Sequence, residues 1–109
     1  MKIKCGTSYF KVIKCDSLWG HFRGLMFRFF YDDGLLFIFE KEKEIGLHMF
    51  FVFSKIDIIY INDKKRVIKI LKNIKPFTPH IKAVKCKYIL EVKNYKGVNI
   101  NNILSFHHK

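Results

Sequence analysis

Asp57 stands near the head of the run Ile56-Asp57-Ile58-Ile59-Tyr60-Ile61, where all its neighbours are apolar or aromatic. A carboxylate in such a strand needs a partner, because burying it alone costs on the order of several kcal/mol. Arg28 or Lys55 can supply the opposite charge, and His48 a hydrogen bond. Glu91, in Leu90-Glu91-Val92, is the other acid inside an apolar run. If the fold brought Asp57 and Glu91 together, they would make a carboxylate pair of the kind that divides acid and base roles. His48, between Leu47 and Met49, can act as acid, base or ligand near neutral pH. Arg28, His48, Met49, Asp57 and Glu91 therefore define a candidate binding pocket. The plainer account has Asp57 held by a structural ion pair, or by backbone amides at a strand bend, since such networks commonly mimic functional sites.

The remaining chemistry is sparse. His80, His107 and His108 show no metal-ligand spacing, so neither a metal nor a cofactor is expected. The chain has no GxSxG, P-loop or GxGxxG motif. Cys5, Cys15 and Cys86 are odd in number and form no CxxC, which argues against a disulfide framework or a zinc knuckle. Cys15 precedes Asp16 at a predicted helix start, where a thiolate would be favoured, although an incidental thiol explains it as well. These observations point to a small binding or accessory module without catalysis, taking a small ligand or a protein partner. The enzyme alternative uses Asp57 with His48 or Glu91.

Charge adds a second alternative. The chain carries 21 Lys and Arg against 9 Asp and Glu, a formal net charge of +12. Residues 1–60 are net +2 and residues 61–109 net +10. A basic C-terminal part could bind single-stranded nucleic acid if its lysines shared one face. Composition bias explains the same numbers, since 18 of the 21 are Lys and the chain is crowded with Ile, Asn and Phe. Arg, the better residue for bidentate phosphate contacts, occurs three times. The lysines of residues 64–96 also fall in turns, so scatter over several faces is expected. Aromatics next to lysines, as in Tyr9-Phe10-Lys11, fit core packing better than base stacking.

The 109 residues are half hydrophobic and 17% aromatic, which excludes intrinsic disorder and fits one domain over 1–109. The N-terminus lacks the apolar run of a signal peptide. The longest apolar stretches fall far short of the roughly 20 residues a bilayer-spanning helix needs. No membrane partner and a reduced, cytoplasmic setting are therefore expected.

The elements that must position these residues are mostly strands. Residues 9–14, 35–39, 45–53, 56–61, 66–71, 87–92 and 103–106 are rich in branched and aromatic side chains and read as β. Residues 40–44 alternate acid and Lys and read as a solvated turn, residues 62–65 as a hairpin loop, and residues 73–82, with Pro76 and Pro79, as a loop. One short helix over 17–29 is predicted. Leu18, Phe22, Leu25, Met26 and Phe29 recur at helical spacing behind a capping Asp16 or Ser17. The fold class is mainly β, a β-sandwich or jelly-roll-like barrel with that single helix.

The order of segments resembles the domain-of-unknown-function family 192, also called uncharacterized protein family 0127. The resemblance is carried by Gly24-Leu25-Met26 with Arg28, Gly34 to Phe39, His48-Met49-Phe50-Phe51, Asp57, Lys75-Pro76-Phe77 and Tyr88-Ile89-Leu90-Glu91, over residues 9–106. It implies a small, mainly β domain with one early helix and no established activity. This chain departs from the family pattern at Leu35, His48, residues 54–56 and Asn101-Asn102.

Overall fold

The computed structural model describes residues 1–15, 33–47, 55–75 and 81–107. They build seven strands: β1 (Lys2–Cys5), β2 (Ser8–Cys15), β3 (Gly34–Leu47), β4 (Ile56–Ile61), β5 (Val67–Ile74), β6 (Ile81–Val92) and β7 (Leu104–His107). All seven join one sheet in the order β5-β4-β6-β3-β2-β1-β7. The β2–β3 pair is parallel and the others are antiparallel.

The two outer strands of this order meet. Val67 N donates to Asn102 O at 2.9 Å, Asn101 N to Val67 O at 2.8 Å and Leu104 N to Lys65 O at 2.7 Å, beside a bridge between Arg66 and Ile103. The sheet thus rolls onto itself, and the edge groups that would otherwise invite pairing with another chain are partly satisfied within the molecule. The mainly β expectation holds, as one rolled sheet rather than two stacked ones.

Side-chain parity explains the rolling. One cluster fills the inside with Ile3, Phe10, Val12, Leu36, Ile59, Ile61, Leu90, Val92 and Leu104. A second lies on the other face of β3, β4 and β6, built on Leu35, Phe37, Ile56, Ile58, Tyr60 and Ile89. β4 and the parts of β3 and β6 that pair beside it, residues 34–37 and 88–92, bury both faces, so they are mostly apolar runs. On β1, β2 and β7 one face is buried. Ile3, Cys5, Phe10 and Leu104 point inward, while Lys2, Tyr9, Lys11 and Ser105 are exposed. Each fully buried aliphatic side chain contributes about 1.5–3 kcal/mol, so the inner cluster dominates the driving force.

Three expectations change. Residues 40–44 are not a turn but the middle of β3, which continues to Leu47. Their alternating charges suit an exposed two-stranded ribbon, in which Glu44 faces Lys85 and Lys43 faces Cys86 on β6. The loop over 73–82 is shorter than expected, since β5 runs to Ile74 and β6 begins at Ile81. The strand β1 precedes those predicted. Its Lys-Ile-Lys-Cys alternation is only four residues long, and it is held between β2 and β7. The helix over 17–29, with its stripe from Leu18 to Phe29, lies outside the described residues, as do Pro76, Pro79 and positions 48–54.

Candidate functional site

Asp57 is buried in β4, facing the inside of the rolled sheet. Its strand neighbour β5 carries a bulge at this level: Ile56 pairs with Ile74 and Ile58 with Leu71, so two residue steps on β4 span three on β5. The extra residue turns Asn73 to φ +55° and frees its amide from the ladder. Asp57 Oδ1 accepts that amide at 2.8 Å, and Oδ2 accepts the amide of Tyr95 at 2.9 Å. The carboxylate therefore ties the bulge of β5 to the loop after β6. Of the two plainer accounts the sequence allows, an ion pair or backbone amides at a strand bend, the structure shows the second. Of the side chains expected as partners, Lys55 is exposed, and Arg28 and His48 lie outside the described residues with Met49.

Glu91 is buried on the opposite face of the sheet. It pairs with Leu35 on β3 and Ile58 on β4, both members of the second apolar cluster. Burial pushes its carboxyl up to about 7. Tyr60 shares that face, diagonal to Glu91, and its hydroxyl is buried with no hydrogen-bond partner among the described residues. Burial raises the phenol to about 12, with the nearby Cys86 and Glu91 adding to it. Because Asp57 pairs with Val92 and Glu91 with Ile58, the two acids emerge on opposite faces. The fold does not bring them together as a dyad.

Cys5 and Cys86 are free and buried, and burial lifts both thiols to about 11. Among the described residues no group of three His, Cys, Asp or Glu is arranged to hold a metal ion. No helix among them is long and apolar enough to cross a membrane.

The lysines of the C-terminal part divide. Lys65 lies 4.9 Å from the Phe106 ring centre and Lys87 lies 5.7 Å from that of Tyr88, and these two rings adjoin. Lys72 instead covers Tyr95, at the Asp57 end of β4. Lys85 faces Glu44.

A more coherent cationic surface comes from the N-terminal strands, where sequence reasoning did not place one. The register puts Lys4 beside Tyr9 and Ser105, and Lys2 beside Lys11, on the outward face of β2–β1–β7. Tyr9 is 52% exposed, and the ammonium groups of Lys2 and Lys4 each stand 5.3 Å from its ring centre. The neighbouring Phe10 turns inward to the core. The alternation of Tyr9, Phe10 and Lys11 carried this signal, but only the position of β1 shows which parity faces out.

This face opens on a polar depression of about 370 Å3, walled by Lys4, Thr7, Asn99, Asn102 and Ser105. Its rim is two turns packed on each other. Gly6, at φ +64°, forms the β1–β2 turn with Thr7, and the Thr7 amide donates to Gly97 O at 2.9 Å. Gly97 has φ +90°, and a Cβ there would meet the hydroxyls of Ser8 and Thr7. Ser8 Oγ donates to Lys96 O, and Asn102 Oδ1 accepts the Asn99 amide at 2.6 Å.

A rolled sheet with one internal parallel pair, closed where β5 meets β7, and a cationic outer face on β2–β1–β7 define a small, mainly β domain among the described residues. The chain belongs to the DUF192 family of uncharacterized ACR proteins, whose family model matches residues 1–98. It is 32% identical over 78 residues to a UPF0127 protein of Thermococcus sibiricus, covering 70% of this chain and 50% of that protein. It is 34% identical over 85 residues to a UPF0127 protein of Thermococcus kodakarensis, covering 74% and 52%. The chain spans about half the length of these relatives. Its fold is similar to a solved protein of unknown function from Novosphingobium aromaticivorans, with a TM-score of 0.81, 19% identity, and coverage of 96% of this chain and 84% of the other. A second solved structure, described as a candidate transcription regulator from Sinorhizobium meliloti, matches with a TM-score of 0.78 at 21% identity, covering 94% and 90%. At these identities the likeness shows the fold.

Proposed function

We propose that this chain is a small binding module that uses the outward face of β2–β1–β7 and the adjoining depression, with an anionic ligand as its target. The observation that carries this reading is the exposed Tyr9 ring between two lysines, next to a polar hollow with a third cationic position, Lys11, on the same face. The two lysines lie against the ring through attractive cation–π contacts, so this face presents an aromatic surface and positive charge side by side. A pocket centred on Asp57 is less well supported, since each of its carboxylate oxygens accepts a backbone amide. The enzyme reading with Glu91 is weakened by the separation of the two acids across the sheet.

A thermal-shift panel tests the proposal. Inorganic phosphate, mononucleotides, dicarboxylates and short oligonucleotides should include at least one ligand that raises the melting temperature by mass action. Lys4→Glu should abolish that gain. A panel without any shift, or a shift unaffected by Lys4→Glu, would overturn it.

A further inference from the structure

We infer that the ligand of this face is a single-stranded nucleic acid, an inference that rests on the binding reading above. Lys2 and Lys4 are two residues apart on one strand, so their stems leave the same face about 7 Å from each other. Lys11 flanks Lys2 on β2, making three ammonium-bearing positions in two neighbouring strands. No Asp or Glu occupies a position of β1, β2 or β7. The face is therefore complementary to a linear anion. Asp33, whose carboxylate accepts the Lys11 amide at 2.7 Å, stands at its margin.

Charge alone would suit an acidic protein equally well. The aromatic ring separates the two. Tyr9 stands out from a strand, and the lysines that cover it do so through cation–π contacts, which a strand of phosphates can displace. A nucleobase can then stack on the ring while the ammoniums engage the phosphates on either side, which is how sequence-tolerant single-strand binders work. An acidic peptide would use the lysines and leave the ring idle. The hollow beside Lys4 is also lined by Asn99 and Ser105, whose side chains carry groups that can hydrogen-bond a sugar or base edge.

The test is fluorescence anisotropy of the full chain with labelled 12-mers of single-stranded RNA and DNA at low and moderate salt, with polyglutamate as a charge-only competitor and a duplex control. Binding to single strands should exceed binding to duplex, and polyglutamate should compete poorly. Tyr9→Ala should weaken binding about tenfold or more while the melting temperature holds, and Tyr9→Phe should retain it. Lys2→Ala with Lys4→Ala should lower the slope of log affinity on log salt by about 1.4, from roughly 0.7 per phosphate contact on single strands. Equal affinity for RNA and DNA supports a phosphate-and-stacking mode, and a preference for either names the source. Polyglutamate that competes as well as oligonucleotide, or Tyr9→Ala without effect, overturns the nucleic-acid inference. If oligonucleotides fail while another anion of the thermal-shift panel stabilises the protein through Lys4, this inference falls and the binding reading stands.

Discussion

Asp57 and Glu91 lie on adjacent strands one position out of phase, so their side chains leave opposite faces of the sheet. The consequence is a division of labour. Asp57 clamps backbone inside the roll, whereas Glu91 sits among apolar side chains on the other face with its proton held more tightly than usual.

Asp57→Ala should destabilise the protein by about 2–4 kcal/mol, because two buried amides lose a charged acceptor. Asp57→Asn should recover little, since its amide group turns a donor toward one of those donors. Urea unfolding measures both. A loss under about 1 kcal/mol for Asp57→Ala would remove the clamp.

Glu91 gives stability a pH dependence. Its carboxyl titrates near 7 in the folded chain against an ordinary value of 4.5, so the folded state holds more protons than the unfolded chain between these values. Its stabilising contribution is fully present below about 4.5 and is lost as pH rises through about 7, by roughly 3 kcal/mol in all. Unfolding at mildly acidic and mildly alkaline pH should show this loss, and Glu91→Gln should flatten the difference. Identical pH profiles for the two proteins would exclude it.

Tyr60→Phe removes a buried hydroxyl that has no partner among the described residues. Stability should stay level or rise by up to about 1 kcal/mol, because nothing hydrogen-bonded is lost and a desolvated group is gone. A drop larger than that would reveal a bond to the hydroxyl.

In a Cys15→Ser background, Cys5 and Cys86 should resist thiol reagents at neutral pH. Both are buried, and their thiols are pushed up to about 11, which leaves almost no thiolate. Labelling should follow unfolding in denaturant. Rapid labelling of either in the folded chain would show that its surroundings open.

Period-two alternation and continuous branched runs are local signals, so the β class and most strand positions were legible from the residues alone. Residues 56–61 and 87–92 read as strands, and the structure places both inside the sheet rather than at its edge. Asp57 was equally legible as a carboxylate that must be satisfied. Backbone amides at a strand bend were one of the two plainer accounts the residues allowed; which amides they are was not legible. A backbone amide carries no residue identity, and the bulge that presents Asn73 exists only once β4 and β5 pair. The charged run 40–44 misled for a related reason: alternating Lys and Glu suits a turn and an exposed ribbon equally, and only the partner β6 decides. The separation of Asp57 from Glu91 and the gathering of Lys2, Lys4, Tyr9 and Lys11 are likewise properties of register. A one-residue slip would reverse both faces, and register is set by long-range packing rather than by any window of sequence.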